Sequence, residues 1–186
     1  FEGHGNHRVL HFFPTLCSSY LKIIKKNDLK LKFGHINLLN FTKMMKKNQT
    51  IEETFSLAVQ YHQKGDFINA ENLYNKIIEI KPNHFKSIFL LGTLSAQLKK
   101  FSRAKKLLQK AIEIQPDYAE AHNNLGNVLK ESGELEKAMK YYRSAIQINR
   151  NYADAHNNLG IVFIELGERE KAIECYQKAI EINPNY

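Results

Sequence analysis

The sequence predicts an all-α protein built as an array of helix-turn-helix units, and three observations carry that prediction. The stretch Ala119 to Gly126, AEAHNNLG, returns as Ala153 to Gly160, ADAHNNLG, 34 residues later. Laid over the chain, that interval divides it into four consecutive blocks, 51–84, 85–118, 119–152 and 153–186, with nothing inserted between them. Equivalent places then carry equivalent residues: leucine at the seventh (Leu57, Leu91, Leu125, Leu159), a small residue at the eighth (Ala58, Gly92, Gly126, Gly160) and alanine at the twentieth (Ala70, Ala104, Ala138, Ala172). A fixed period of this length marks a solenoid in which each hairpin buries its apolar face only against its neighbours.

Each block should open with a helix of about 14 residues, roughly 21 Å long at 1.5 Å per residue. The fifteenth place ends it. Gly65, Gly133 and Gly167 stand there, suited to the left-handed conformation that closes helices, and Lys99 takes the place in the second block at some backbone cost. The small eighth residue admits a second helix closely, with the alanine of the twentieth place expected opposite it. The second helix continues with a large residue at the twenty-fourth place (Tyr74, Leu108, Tyr142, Tyr176) and alanine at the twenty-seventh in three blocks (Ala111, Ala145, Ala179, with Ile77 departing). Pro82, Pro116 and Pro184 close three of the blocks. These residues resemble the tetratricopeptide repeat, and the resemblance implies a right-handed superhelical solenoid whose first helices line the concave side.

Residues 1–44 fall outside this pattern and read as a basic leader. From Phe1 to Thr50 there are nine Lys or Arg against two acids, whereas 51–186 carries 18 against 17, so the whole-chain charge of +8 belongs mostly to the leader. The paired Met44 and Met45 before MKKNQT are expected to mark the natural start, with the preceding residues disordered or not part of the natural product. The apolar run from Val9 to Leu21 is broken by His11, Pro14 and Ser18-Ser19 and does not read as a secretory signal. No run approaches the ~20 apolar residues that span a bilayer. A basic amphipathic helix over Tyr20 to Phe41 is disfavoured by its irregular apolar spacing. Nearly neutral repeats give no electrostatic argument for nucleic acid or membrane as partner.

Two cysteines, Cys17 and Cys175, are far apart and form no metal or redox pair, which favours a cytoplasmic setting, with Cys175 a small packing residue. Four of the eight histidines lie in the leader, and His122 and His156 are one repeat apart, so their spacing reports the period and no metal or cofactor is expected. Both hold the fourth place, where the resemblance implies a large packing residue. No Ser/His/Asp arrangement, phosphate-binding glycine loop or HExxH run is present, so the expectation is a protein without catalysis of its own.

The resemblance further implies that the second, fifth, sixth, ninth, twelfth and thirteenth places face the hollow. In the third block these include Asn123, Asn124, Asn127 and Lys130, and in the fourth Asn157 and Asn158. Asparagine is a mediocre helix former, so recurring pairs inside helices suggest amides that hydrogen-bond the backbone of an extended peptide. This wording is similar to the arrays of O-linked N-acetylglucosamine transferases, chiefly in blocks three and four. The first two blocks instead turn Phe55, Val59, Phe89, Leu90 and Thr93 inward, an apolar zone at that end of the groove. Phe55 and Val59 replace the lysine and asparagine of the basic clamp that holds chaperone carboxylates, which argues against that ligand. The function expected is a scaffold that binds a protein or an extended or helical peptide. The alternative is the recognition arm of a larger glycosyl- or sulfotransferase extending past Tyr186. An uncapped last hairpin, with Ile173, Tyr176, Ala179 and Ile180 on its final helix, is expected to fray or self-associate.

Overall fold

The computed structural model describes residues 51–185, and the readings made for the leader, its methionines and Cys17 lie outside them. Eight helices pair into four hairpins among the described residues. We number them α1 (51–63), α2 (Phe67–Ile80), α3 (Phe85–Gln97), α4 (Phe101–Ile114), α5 (Ala119–Glu131), α6 (Leu135–Ile148), α7 (Ala153–Glu165) and α8 (Arg169–Ile182). The architecture is an all-α, right-handed superhelical solenoid. From α2 onward each helix packs on the next in sequence, α1 meets α2 through Ala58, Ala70 and Tyr74, and the approaches between equivalent helices of neighbouring hairpins are between first helices, α3 with α5 and α5 with α7. First helices therefore form the inner side.

All four first helices end in the same way. The fifteenth-place amide bonds the carbonyl three residues back and the next amide bonds the one five back: Gly133 N–H to Lys130 at 2.9 Å and Glu134 N–H to Leu129 at 2.9 Å, repeated at Lys99 and Lys100 onto Ala96 and Ser95 at 2.9 and 2.8 Å. This pair of hydrogen bonds closes a helix only if the fifteenth residue is left-handed. Gly65, Gly133 and Gly167 have φ of 78°, 76° and 78°, and Lys99 is forced to 55°.

The core follows the repeat period, and two of its features come from how whole helices pack. First, the eighth-place glycine is met by the twenty-fourth residue: a Cβ on Gly126 would stand 2.5 Å from the Tyr142 ring, and one on Gly160 2.6 Å from Tyr176. The tyrosine is longer, so its ring covers the gap that the missing side chain leaves. Second, the seventh-place leucines pack toward the preceding hairpin. Leu125 is wholly buried with Ala104 and Leu108, whereas Leu57, in the first described hairpin, is 43% exposed. At the other end Ile173 and Ile180 of α8 are exposed while Ala179 is buried.

Candidate binding groove

On each first helix the second, sixth, ninth and thirteenth places recur at i, i+4, i+7 and i+11 and so form one stripe on the inner side. In α5 the stripe is Glu120, Asn124, Asn127 and Glu131, and in α7 Asp154, Asn158, Ile161 and Glu165. On α1 and α3 the same places hold Glu52, Ser56, Val59, Gln63 and Lys86, Leu90, Thr93, Gln97, and beside them the fifth-place Phe55 and Phe89 make this end apolar and aromatic.

Phe55 and Phe89 are brought together there. With Phe85, Leu90, Tyr118, Lys86 and Gln115 they line a cavity of about 370 Å³. Phe85 and Phe89 stack at 6.1 Å, and the Tyr118 ring stands edge-on to both at 5.0 Å. Phe55 meets the ring of His84 at 5.5 Å. His84 caps α3: its Nδ1 accepts from the Ser87 N–H at 3.3 Å and the Ser87 hydroxyl at 2.8 Å. Burial, aided by Lys81 and Lys86 and opposed by Glu52, holds this imidazole below its ordinary pKa. A second cavity of about 350 Å³ adjoins the first across Leu90, lined also by Val59, His62, Gln63, Tyr74 and Gln97. Here His62 Nε2–H donates to Gln97 Oε1 at 2.9 Å, which leaves Nδ1 to accept from the Tyr74 hydroxyl at 3.4 Å. Burial pushes Tyr74 up to about 12.

In the other half, two bonds from asparagine amides cross between hairpins. Asn124 Nδ2 donates to Thr93 Oγ1 at 3.2 Å, and Asn158 Nδ2 donates to Asn123 Oδ1 at 3.0 Å. Asn123 is only 4% exposed and its Oδ1 is taken by Asn158, so it supports the groove from beneath rather than presenting a free amide. Asn127 accepts from the Tyr142 hydroxyl at 2.8 Å. Asn124, Asn127, Asn157 and Asn158 are half-buried along the floor, and Lys130 pairs with Glu131 at 3.1 Å. Burial pushes Tyr152 up to about 12, helped by Asp154 and Glu120, and raises Tyr142, helped by Glu131 and Glu165.

Sequence reasoning passed over Phe85, Tyr118, Tyr152 and Tyr142 as groove residues. Tyr118, Tyr152 and Tyr186 recur at the last place of three blocks, a periodic signal that pointed to Tyr118 and Tyr152. His122 and His156 serve packing. Each ring donates from Nε2 to a carbonyl six residues back, Pro116 at 2.8 Å and Arg150 at 3.2 Å. Cys175 is half-buried against the core, and burial raises its thiol. Among the described residues no group of His, Cys, Asp and Glu is arranged to hold a metal ion, and no helix is long and apolar enough to cross a membrane.

A solenoid of helical hairpins with a lined inner groove defines a repeat-based binding protein. Tetratricopeptide repeat models match residues 55–84 and 153–186, and a TPR repeat model matches 92–133 and 126–167. The chain belongs to the tetratricopeptide repeat family. A crystal structure of MamA protein is 31% identical over 75% of this chain and 76% of that one, with a TM-score of 0.68. MamA from residue 41 onward of Desulfovibrio magneticus RS-1 is 20% identical over 91% of this chain and 96% of that one, TM-score 0.68, a likeness of fold alone. A mutant O-GlcNAc transferase of Thermobaculum terrenum is 29% identical over 62% of this chain but only 22% of the transferase, TM-score 0.60. No curated protein matches by sequence.

Proposed function

We propose that this protein is a non-catalytic interaction scaffold that holds an extended or helical peptide along the inner side of its array. Membership of a repeat family, and likeness to MamA across most of both chains, support the scaffold class. The observation that carries the finer reading is the continuity of the inner stripe. Two adjoining cavities around Leu90 give way to a strip of side-chain amides on α5 and α7. Apolar cavities take side chains, and amides offer both donor and acceptor to a peptide backbone. The bonds from Asn158 to Asn123 and from Asn124 to Thr93 hold those amides in fixed orientations, which lowers the entropy lost on binding.

The test is selection of binders from a random twelve-residue peptide library displayed against the full chain. Selected peptides should bind wild type and lose at least about tenfold in affinity to Leu90→Lys, a charge placed between two apolar cavities. Asn124→Ala with Asn158→Ala should weaken them by a smaller factor. Circular dichroism checks that the variants fold. Peptides that bind all three proteins equally would move the site off the inner face.

A further inference from the structure

The polar half of the groove is edged by carboxylates. At the second and thirteenth places of α5 and α7 stand Glu120, Glu131, Asp154 and Glu165, all exposed. The one cation among the inner-face places of these helices, Lys130, is paired with Glu131. Two rows of negative charge therefore flank the floor of Asn124, Asn127, Asn157 and Asn158. Their field reaches into the stripe, since Glu131 and Glu165 act on the Tyr142 phenol and Asp154 and Glu120 on Tyr152. On α1 and α3 the same places hold Glu52, Gln63, Lys86 and Gln97, so charge nearly cancels there, and Phe55, Val59, Phe89 and Leu90 outnumber Ser56 and Thr93 between them.

Resting on the peptide-groove reading above, we propose the class of ligand: a basic peptide with a bulky apolar anchor. The anchor enters the cavity of Phe55, Phe85, Phe89, Leu90 and Tyr118, and lysine or arginine side chains lie between the carboxylate rims of α5 and α7. Matching charge selects partner and register, while an acidic segment placed there meets like charge on both sides. The cavity supplies desolvated apolar area that exposed charges alone cannot. Packed helices are about 10 Å apart, so the cavity lies roughly 10 to 20 Å from the rims. An extended chain covers that in about three to six residues at ~3.3 Å each.

The library selection tests this by the composition of what it enriches. The expected consensus is Phe, Leu, Ile or Met followed about three to six residues on by Lys or Arg. A fluorescein-labelled peptide of that consensus should bind Glu131→Gln with Glu165→Gln about tenfold more weakly than wild type. Raising NaCl from about 50 to 500 mM should weaken the wild-type complex and affect the variant's much less. Enriched peptides that lose affinity to Leu90→Lys but are neutral or acidic would overturn the basic-ligand inference and leave the groove standing. A basic peptide that binds equally well with its anchor changed to serine would overturn the two-point arrangement. Enrichment of no peptide sensitive to Leu90→Lys would overturn the groove reading, and this inference with it.

Discussion

Single residues set the ends of the helices and the tuning of the groove. Lys99 adopts φ 55° because the closing bonds of α3 require a left-handed residue, and its side chain pays for what glycine gives freely in the other three turns. The left-handed conformation costs roughly 1–2 kcal/mol for a residue with a Cβ, and glycine's extra chain entropy takes back ~0.5–1. Lys99→Gly should therefore stabilise by about 0.5–1 kcal/mol, seen as a higher melting temperature, and no gain would mean that the turn is relaxed as it stands. His84 makes the opposite case, a residue fitted to its place. Its cap needs an unprotonated Nδ1, and burial lowers its pKa below the ordinary 6.5. A lowered value gives stability that is present above the unfolded pKa and lost as pH falls through the folded one. Between pH ~7 and ~5 the melting temperature should fall more for wild type than for His84→Asn, which keeps a neutral capping acceptor. Equal slopes would show that the cap does not titrate. Because the ring also meets Phe55, the same acidification should loosen the aromatic cavity.

At the scale of the element, equal residues at equal places do unequal work. Leu125 is enclosed between α4 and its own hairpin, so Leu125→Ala should cost roughly 2–5 kcal/mol. Leu57 has the same place in α1 but is 43% exposed, and Leu57→Ala should cost under ~1 kcal/mol. Urea melts of the two variants compare them directly, and equal losses would contradict the exposure of Leu57. The asparagine pairs show a similar division of labour. Asn123 is the buried member and Asn158 the half-exposed one, joined by a single bond between α5 and α7. The helix bounds and the turns were legible in the sequence, because each depends on residues at most one block apart. Which amide lies beneath and which lies on the floor depends on the distance between neighbouring first helices, and no periodicity reports that.

Across the whole set of described hairpins, different forces hold the two sides of the array. On the inner side the hairpins are joined by amide and hydroxyl bonds. Away from the groove, ion pairs join second helices: Glu71 of α2 takes Lys100 at 2.9 Å and also Arg103, and Lys105 of α4 takes Glu134 at 2.8 Å. The sign reverses from one junction to the next, acid before base and then base before acid. A hairpin displaced by one repeat would bring Glu71 toward Glu134, so the alternation favours a single order of stacking. The next junction has no such pair, Met139 standing where Glu71 and Lys105 stand. At α8, Ile173 and Ile180 are 54% and 50% exposed, an apolar face of the kind that associates. Sedimentation should show concentration-dependent association that Ile173→Lys with Ile180→Lys removes, and a monodisperse monomer at all concentrations would rule it out.

The sequence by itself determined the class, the register and the hairpin boundaries of this protein. In a solenoid each unit contacts only its neighbours, so the packing constraints return every 34 residues and most are written three or four times. The inner placement of Phe55, Phe89 and the asparagines came from the resemblance to the tetratricopeptide repeat, since a period by itself does not say which face is hollow. The tertiary structure alone decided that Gly126 makes room for Tyr142, that Asn123 is buried beneath Asn158, and that Tyr118 closes the aromatic cavity. Each of these is a distance between side chains on different helices, set by how far one hairpin is displaced on the next, and a one-dimensional period carries no record of that displacement.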